Sequence, residues 1–310
     1  MTRRNPTRRQ LLAGLGLATG SLALTACGLD GSTAFGQAEA GSTILIGSAD
    51  FPESQLLAEI YAAALRQRDL EAQTLPGMGA REAYLGALQE GTVAVVPDYS
   101  GNLLLYLDSA SRAQTAQEVM QALPGVLPQN LVALAPAPAE NKDSLVMRAD
   151  RARELGLESL ADLAPLSGRL SLAAAPEFAE RSYGLPGLKR VYDFEPSSFE
   201  PINDGGGPLT LAALREGQVD IADLYSTDPA LRSQEFLILQ DPGHLILPQQ
   251  ILPLVHKRLV SLEAAQVLEE ISALLTTESL MGLNERVVGA EKASPTQAAS
   301  DWVGQVYKAG

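Results

Sequence analysis

The chain has 310 residues, of which 46% are hydrophobic and only 5% are aromatic. This length and content predict a globular protein with room for two domains and exclude a disordered chain. Its 37 acidic and 23 basic residues give a formal charge of −14. Because such a surface repels phosphate backbones, we expect no nucleic-acid binding.

Residues 1–26 predict an export signal. A basic segment, MTRRNPTRRQ, precedes an apolar stretch, LLAGLGLATGSLALTA, that is shorter than a membrane-spanning helix requires. The pair Arg8 and Arg9 fits a twin-arginine signal and an ordinary basic segment equally well. Removing this signal takes away four arginines and no acid, so the formal charge changes from −14 to −18.

The signal ends in LTACG, which resembles the lipobox of bacterial lipoproteins and implies lipidation of Cys27. Since Cys27 is the only cysteine, we expect neither a disulfide nor a cysteine metal site in the mature domain. Residues 27–42 are small, polar and without periodicity, which predicts a flexible tether. These features together predict an extracytoplasmic protein attached to the cell membrane by lipid.

From residue 43 the chain alternates between predicted strands and helices. The order is a strand in TILIGSA, a helix in FPESQLLAEIYAAALRQ, a strand in LEAQTL, a helix in AREAYLGALQE that ends at Gly91, and a buried strand in TVAVV. This alternation predicts parallel sheets in an α/β fold. Two further helices are predicted near the C-terminus, in LEAAQVLEEISALLTT and ESLMGLNERVV.

A fourteen-residue phrase occurs twice, as ALQEGTVAVVPDYS at 87–100 and as ALREGQVDIADLYS at 213–226. Each copy reads as a helix closed by glycine and followed by a strand, so Tyr99 and Tyr225 each lie just past a strand's carboxyl end. Open α/β sheets bind ligands at that edge. Two equivalent lobes would therefore place one tyrosine on each side of a shared cleft. The alternative is a common helix, glycine and strand unit whose tyrosines coincide by chance.

Four motifs occur in the order GSADFPESQLLAEIYAAAL, PDYSGN, PEFAERSYGLPGL and YSTDPAL. They resemble the substrate-binding proteins of osmoprotectant ABC transporters, the glycine betaine, choline and carnitine family, from about residue 43 to the C-terminus. The resemblance implies a type II periplasmic-binding-protein fold, with two α/β lobes joined by two crossover strands and a ligand cleft between them. We expect lobe I to comprise 43–143 plus 250–310, and lobe II 144–249.

The resemblance also implies the ligand contacts. In that family a cage of tyrosines holds a quaternary ammonium, and an arginine from the second lobe holds a carboxylate. The motifs match Tyr99 and Tyr225 to the cage and Arg181 to the arginine. Asn102 of PDYSGN, Asp143 and Gln249 complete the predicted ligand-binding set.

Two positions depart from the family pattern. Asp143 and Gln249 stand where the family often has further tyrosines, and the loss of two rings would remove on the order of 1 to 4 kcal/mol of cation-π energy. Asp143 could replace part of it by pairing with an ammonium, so a ligand other than glycine betaine stays open. Tyr183 in RSYG replaces an acid of the family, so a ring has been moved rather than lost in that interpretation.

No catalytic constellation is present, so we do not expect an enzyme. The two histidines, His244 and His256, lie in a DPGH turn and at a strand end, where surface or packing roles are expected. The glycine-rich NDGGGPLT turn reads as a simple loop, with anion binding as the alternative. Asp220 and Asp223 read as the solvent edge of a strand.

The resulting prediction is a monomer that captures a small quaternary-ammonium or zwitterionic solute and delivers it to an ABC transporter permease, with no cofactor and no metal. Two alternatives stay open. One is a binding protein for a different cationic or amino-acid-like ligand, and the other is a tethered sensor that signals through a partner.

Overall fold

The structure, a computed structural model, describes residues 43–309. The predicted export signal, the tether and Cys27 lie outside the described residues. Among the described residues, no helix combines the length and the apolar character that a bilayer span requires.

Strands and helices alternate through most of the described chain. The strands are β1 (Ile44–Gly47), β2 (Ala72–Leu75), β3 (Val95–Tyr99), β4 (Leu131–Ala133), β5 (Asp143–Arg148), β6 (Ser171–Ala174), β7 (Ser198–Pro201), β8 (Ile221–Tyr225), β9 (Phe236–Ile238) and β10 (Ile251–His256). The α-helices are α1 (Pro52–Arg66), α2 (Arg81–Glu90), α3 (Ser100–Leu107), α4 (Ala116–Val126), α5 (Ala149–Leu155), α6 (Leu185–Tyr192), α7 (Pro208–Arg215), α8 (Leu262–Leu274), α9 (Thr277–Val288) and α10 (Pro295–Ala309).

The strands form two sheets of the same design. The first has the order β2-β1-β3-β10-β4 and the second the order β7-β6-β8-β5-β9. In the first, β3 runs parallel to β1 and antiparallel to β10. In the second, β8 runs parallel to β6 and antiparallel to β5. The predicted architecture of two α/β lobes is confirmed.

The sheets are mixed, so the prediction of parallel sheets was wrong in part. The antiparallel strands β5 and β10 are the first strands after the chain crosses from one sheet to the other. A strand that enters a sheet from the neighbouring lobe does not follow a helical crossover within that sheet, so the rule for parallel strands does not apply to it.

The repeated phrase occupies equivalent places in the two sheets. Its first copy is the end of α2 and strand β3, and its second copy is the end of α7 and strand β8. Gly91 adopts a left-handed conformation, with φ of 80°, and closes α2 as predicted. Tyr99 and Tyr225 are the last residues of their strands rather than the first residues beyond them. Each also faces the first residue of a crossover strand, β10 or β5.

The two crossovers lie side by side. Glu140 and Gln250 form an antiparallel bridge, and the Asn141 amide donates a hydrogen bond to the Gln249 carbonyl at 3.0 Å. We propose that lobe I comprises 43–143 plus 250–310 and lobe II 144–249, with Asp143 as the first residue of the second sheet.

Each sheet is covered by its own apolar core. The core of the first sheet includes side chains of α1, α8, α9 and α10, so the C-terminal helices pack on the first lobe. The second sheet is covered on its two faces by separate apolar clusters. Two independent cores allow the lobes to move as units about the crossovers.

Candidate functional site

A cavity of about 60 Å³ lies between the lobes and is lined by residues from both. Since a buried water needs about 10–15 Å³ of such space, the cavity has room for roughly four to six water-sized groups, which suits a small solute. Five of the six ligand-binding residues predicted from the sequence line it: Tyr99, Asn102, Asp143, Arg181 and Tyr225.

Three aromatic rings, which we call the aromatic wall, line one side of this cavity. Phe51 stands before α1, Tyr99 ends β3 and Tyr225 ends β8. Their ring centroids are separated by 6.2 Å (Phe51 to Tyr99), 5.4 Å (Phe51 to Tyr225) and 6.4 Å (Tyr99 to Tyr225). A point roughly 4.5 Å off the plane of the three centroids is within about 6 Å of each, the range of cation-π attraction. A cation at such a point would lie within this distance range of all three ring centroids.

The carboxylate of Glu53, in the first turn of α1, holds Tyr99 in place. Tyr99 Oη and Asn141 Nδ2 donate to Glu53 Oε1 at 2.7 and 2.6 Å. Thr227 Oγ1 and Asn284 Nδ2 donate to Glu53 Oε2 at 2.5 and 2.6 Å. Four donors satisfy this buried carboxylate. Burial, together with the charge of Glu53, raises the pKa of Tyr99 well above its ordinary value, so the hydroxyl stays a donor.

A chain of amide hydrogen bonds fixes Asp143 in the cavity wall. Asn102 Nδ2 donates to Asp143 Oδ2 at 2.6 Å, and Gln249 Nε2 donates to Asn102 Oδ1 at 2.6 Å. The backbone amide of Asn102 in turn donates to Gln249 Oε1 at 2.9 Å. Gln249 is completely buried and does not line the cavity. The structure therefore differs from the prediction of a ligand contact at Gln249: its side chain caps the start of α3 and orients Asn102.

Asp223 is buried behind the same wall, which makes the prediction of a solvent-exposed strand edge wrong for this residue. It is only 6% exposed, and its register partner Leu145 lies two residues beyond Asp143 on β5. Burial raises the pKa of both Asp143 and Asp223, and the charge of Asp143 raises that of Asp223 further. Asp220 is half-buried and accepts hydrogen bonds from Ser171.

Arg181 joins the two lobes across the cavity. Its guanidinium makes a double contact with Glu82 at the start of α2, with Nη1 2.7 Å from Oε1 and Nη2 3.0 Å from Oε2. The guanidinium also lies 5.3 Å from the ring centroid of Tyr106. Arg181 Nε is buried and has no hydrogen-bond partner among residues 43–309. Arg181 itself lines the cavity, so its guanidinium can meet a ligand carboxylate there.

A second guanidinium, that of Arg81, lines the cavity, and its charge is neutralised by a carboxylate of the protein. Arg81 Nη2 lies 2.7 Å from Asp98 Oδ1, and its Nε lies 3.3 Å from both carboxylate oxygens. Asp98 is completely buried and also accepts from the backbone amide of Tyr99 at 2.7 Å. This ion pair adds no net charge to the cavity and fixes the end of β3.

Tyr183 and Glu177 come from the same segment of lobe II as Arg181 and also line the cavity. The Tyr183 ring packs edge-on against Phe178, with centroids 6.2 Å apart. Burial, and then the charge of Asp143, raises the pKa of Tyr183. The ring that replaces an acid of the family pattern is thus part of the cavity wall.

The glycine-rich turn at 203–207 is occupied by its own carboxylate. Asp204 accepts from the amides of Gly207, Leu209 and Thr210 and from the Thr210 hydroxyl. These groups at the start of α7 are therefore already satisfied, which favours the loop interpretation over anion binding. Gly205 has a φ of 60° and approaches Phe51 so closely that an added Cβ would lie 2.6 Å from the Phe51 Cβ.

Sequence reasoning missed Phe51, Glu53 and Arg81. Phe51 and Glu53 follow the carboxyl end of β1, so the rule that picked out the two tyrosines applies to them as well. Arg81 stands in the first turn of α2, where no periodic signal marks it. The histidines play no part in this cavity: His256 is buried in β10 and accepts a backbone hydrogen bond from Arg258.

A known family of sequences matches the chain over residues 42–305. It is OpuAC, described as the substrate-binding domain of ABC-type glycine betaine transport systems. The glycine betaine-binding protein YehZ of Escherichia coli K12 is 27% identical over 281 residues, which cover 86% of this chain and 92% of that protein. A glycine-betaine-binding protein of Pseudomonas aeruginosa is 29% identical over 304 residues, covering 91% of this chain and 93% of that protein.

Solved structures agree with this match. A crystal structure described as a glycine betaine/carnitine/choline ABC transporter superposes with a TM-score of 0.67 at 19% identity and covers 85% of this chain and 98% of that one. The apo structure of YehZ from Escherichia coli superposes with a TM-score of 0.59 at 26% identity and covers 86% of this chain and 99% of that one. The fold is that of the type II periplasmic binding proteins.

Proposed function

The chain belongs to the family of substrate-binding domains of ABC-type glycine betaine transport systems, and from this premise we propose that it captures a small quaternary-ammonium or zwitterionic solute and delivers it to an ABC transporter permease. The observation that carries the proposal is the aromatic wall beside a buried acid, Asp143, in a cavity between two lobes. Rings and a carboxylate both favour positive charge.

The charges around the cavity support a cationic ligand. Its two guanidinium groups are each paired with a carboxylate, Arg81 with Asp98 and Arg181 with Glu82. Asp143 accepts a hydrogen bond from the uncharged amide of Asn102, and no arginine or lysine among residues 43–309 forms a salt bridge with it. A ligand cation would supply the positive charge that this acid lacks.

A zwitterionic ligand would use a second contact. Its carboxylate would accept a hydrogen bond from the Arg181 guanidinium, while its ammonium would lie against the aromatic wall. In this pose both lobes hold the ligand, since Arg181 and Tyr225 belong to lobe II and Phe51 and Tyr99 to lobe I. Binding would then favour the closed arrangement of the lobes.

A thermal-shift and calorimetry panel tests this function. The panel contains glycine betaine, choline, carnitine, ergothioneine and amino acids without a quaternary nitrogen. A true ligand at 100 times its dissociation constant adds roughly 2.7 kcal/mol to the free energy of unfolding. We expect stabilisation by the quaternary ammonium compounds. Stabilisation by ordinary amino acids alone would instead favour an amino-acid-binding protein. A protein that binds the solute but supports no uptake in cells would be a tethered sensor.

We also propose that the protein is held at the membrane by a lipid on Cys27. Replacing Cys27→Ala should leave a folded protein that no longer sediments with membranes, because two acyl chains, rather than the domain, would supply the membrane affinity. Membrane fractionation of the two forms measures this, with solute affinity as the check on folding. An alanine variant that still sediments with membranes would contradict the lipid anchor.

A further inference from the structure

Two buried carboxyl groups meet in the wall of the cavity. Asp143 opens β5 and Asp223 lies on β8, diagonally across the antiparallel pair. They are 7% and 6% exposed, and the register places both side chains on the same face of the β5–β8 pair. Asp223 Oδ1 is buried and receives no hydrogen bond from any donor in residues 43–309.

A buried pair of neighbouring acids favours holding a proton, because two ionised carboxylates have no donor between them. Two carboxylates that share a buried space do not both ionise, since the second charge meets the field of the first without water to screen it. The proton would lie between an oxygen of Asp143, which faces the cavity, and an oxygen of Asp223, which lies behind it.

The groups that surround the pair do not supply the missing positive charge. Asn102 of α3 donates to Asp143 without carrying charge. The nearest guanidinium, Arg81 of α2, is engaged by Asp98. Tyr183 and Tyr225 face the pair as neutral hydroxyls, and Glu177 adds a further negative charge near Asp223.

We infer that the Asp143 and Asp223 pair holds one shared proton in the ligand-free protein and releases it to solvent when a cation binds against Asp143. The inference rests on the proposed function and names Asp223 as a residue that sets specificity without touching the ligand. One proton leaves for each cation bound, so the total charge of the two acids and the ligand is unchanged. The cleft would thereby favour solutes that carry a full positive charge over neutral solutes of the same shape.

The direction of the pH dependence follows from this exchange. Burial raises the pKa of both acids, so the shared proton is still bound at pH values where an exposed aspartate would be ionised. Below the pKa of the pair, lowering the pH by one unit should lower the affinity for choline by up to tenfold, since the proton and the cation compete for one site. Above that pKa the affinity should be independent of pH.

Calorimetry with choline in two buffers of different ionisation enthalpy measures the released proton directly. For the unmodified protein at neutral pH, we expect the observed enthalpies to differ by close to one buffer ionisation per cation bound. Asp223→Asn should reduce the released proton to near zero and shift the fall in affinity to lower pH, because Asp143 then titrates without an acidic neighbour. Glu200→Gln, which removes one exposed acid from β7, is the control of equal charge and should behave as the unmodified protein.

Infrared spectroscopy of the ligand-free protein tests the shared proton without any ligand. We expect the band of a protonated buried carboxyl at neutral pH, its loss in Asp223→Asn and its retention in Glu200→Gln. Absence of the band in the unmodified protein would overturn the inference whatever the protein binds. Choline binding with equal enthalpies in both buffers would overturn proton release while leaving the proposed function intact. If no quaternary ammonium binds at any pH, the proposed function and the proposed proton release are both wrong, even when the infrared band is present.

Discussion

Tyr99 and Tyr225 occupy equivalent positions in the two lobes, but their hydroxyl groups have different surroundings. Tyr99 Oη donates to the buried Glu53 at 2.7 Å. The hydroxyl of Tyr225 has no side-chain partner among residues 43–309, and burial followed by the charge of Asp143 raises its pKa. The two rings thus contribute alike to the aromatic wall, whereas only one hydroxyl contributes to the packing of lobe I.

Phenylalanine and alanine substitutions separate these two contributions. Tyr99→Ala and Tyr225→Ala should each weaken a quaternary ammonium about tenfold or more, because each removes a ring face. Tyr225→Phe should leave both affinity and stability nearly unchanged. Tyr99→Phe should keep most of the affinity but lower the free energy of unfolding by about 1 to 3 kcal/mol, since Glu53 loses a donor in a buried site.

Calorimetry and chemical denaturation measure the two effects. Tyr307→Ala, which removes a half-buried ring from α10, is the matched control and should not change affinity. If both alanine variants at the repeated positions bind like the unmodified protein, the ligand lies elsewhere and the tyrosines of the repeat have no shared role.

Cavity-lining residues that stand in motifs were easier to predict than the residues that support them. Tyr99, Tyr225 and Arg181 stood in motifs with recognisable spacing, and all three line the cavity. Gln249 was misplaced because a family alignment gives the position in the chain but not the direction of a side chain that instead caps a helix. Asp223 was misplaced because an Asp pair on a strand looks solvent-exposed unless the partner strand is known.

At the scale of elements, the pair between Arg181 and Glu82 connects the turn before α6 to the first turn of α2. Glu82 is half exposed and Arg181 is mostly buried, so the pair itself stabilises the closed form by only about 0 to 1 kcal/mol. We expect its larger effect to be on selectivity, because Glu82 would compete with a ligand carboxylate for the same guanidinium.

Removing either partner should change selectivity in opposite directions. Arg181→Ala should lower the affinity for glycine betaine by roughly tenfold more than the affinity for choline, since only glycine betaine offers a carboxylate. Glu82→Gln should improve glycine betaine relative to choline, because it frees Nη1 and Nη2 of Arg181. Calorimetry with both solutes gives the ratio, and Glu90→Gln, an exposed acid on the same helix, should leave it unchanged. An unchanged ratio in Arg181→Ala would remove this residue from the carboxylate site.

Local sequence patterns predicted helices and strands well where the neighbouring residues in the sequence determine the structure. The predicted helix at 51–67 is α1 at Pro52–Arg66, and Gly91 ends α2 as expected. We did not predict α10 from PTQAASDWVGQVYKA, although Ala298, Trp302 and Val303 recur at helical spacing and are buried. The antiparallel direction of β5 and β10 was also missed, since it depends on which lobe the chain comes from.

At the scale of the whole molecule, the described conformation is closed. Phe51 of lobe I lies 5.4 Å from Tyr225 of lobe II, and Glu53 accepts from Thr227 across the same interface. Opening the cleft about the paired crossovers would break these contacts and expose the aromatic wall. Ligand binding stabilises the closed form only by its own contacts with both lobes, so closure should follow occupancy.

Gly205 gives a direct test of this motion, because closure brings it against Phe51. In Gly205→Ala the new Cβ would lie 2.6 Å from the Phe51 Cβ, a distance that forces the lobes apart. Gly168→Ala is the matched control: its φ is 73° against 60° for Gly205, and nothing lies within 4 Å of its added Cβ. Both variants carry the strain of an alanine in the left-handed region, but only Gly205→Ala meets the other lobe.

Small-angle scattering with and without saturating choline should therefore separate the two glycine variants. We expect the radius of gyration to fall on binding in the unmodified protein and in Gly168→Ala, and to stay near its ligand-free value in Gly205→Ala. The same variant should bind choline at least tenfold more weakly, because one lobe alone does not complete the aromatic wall. A radius that is the same in all forms, with or without choline, would mean that the lobes are closed before the solute arrives. The ligand would then have to enter through local movement of side chains rather than through a hinge.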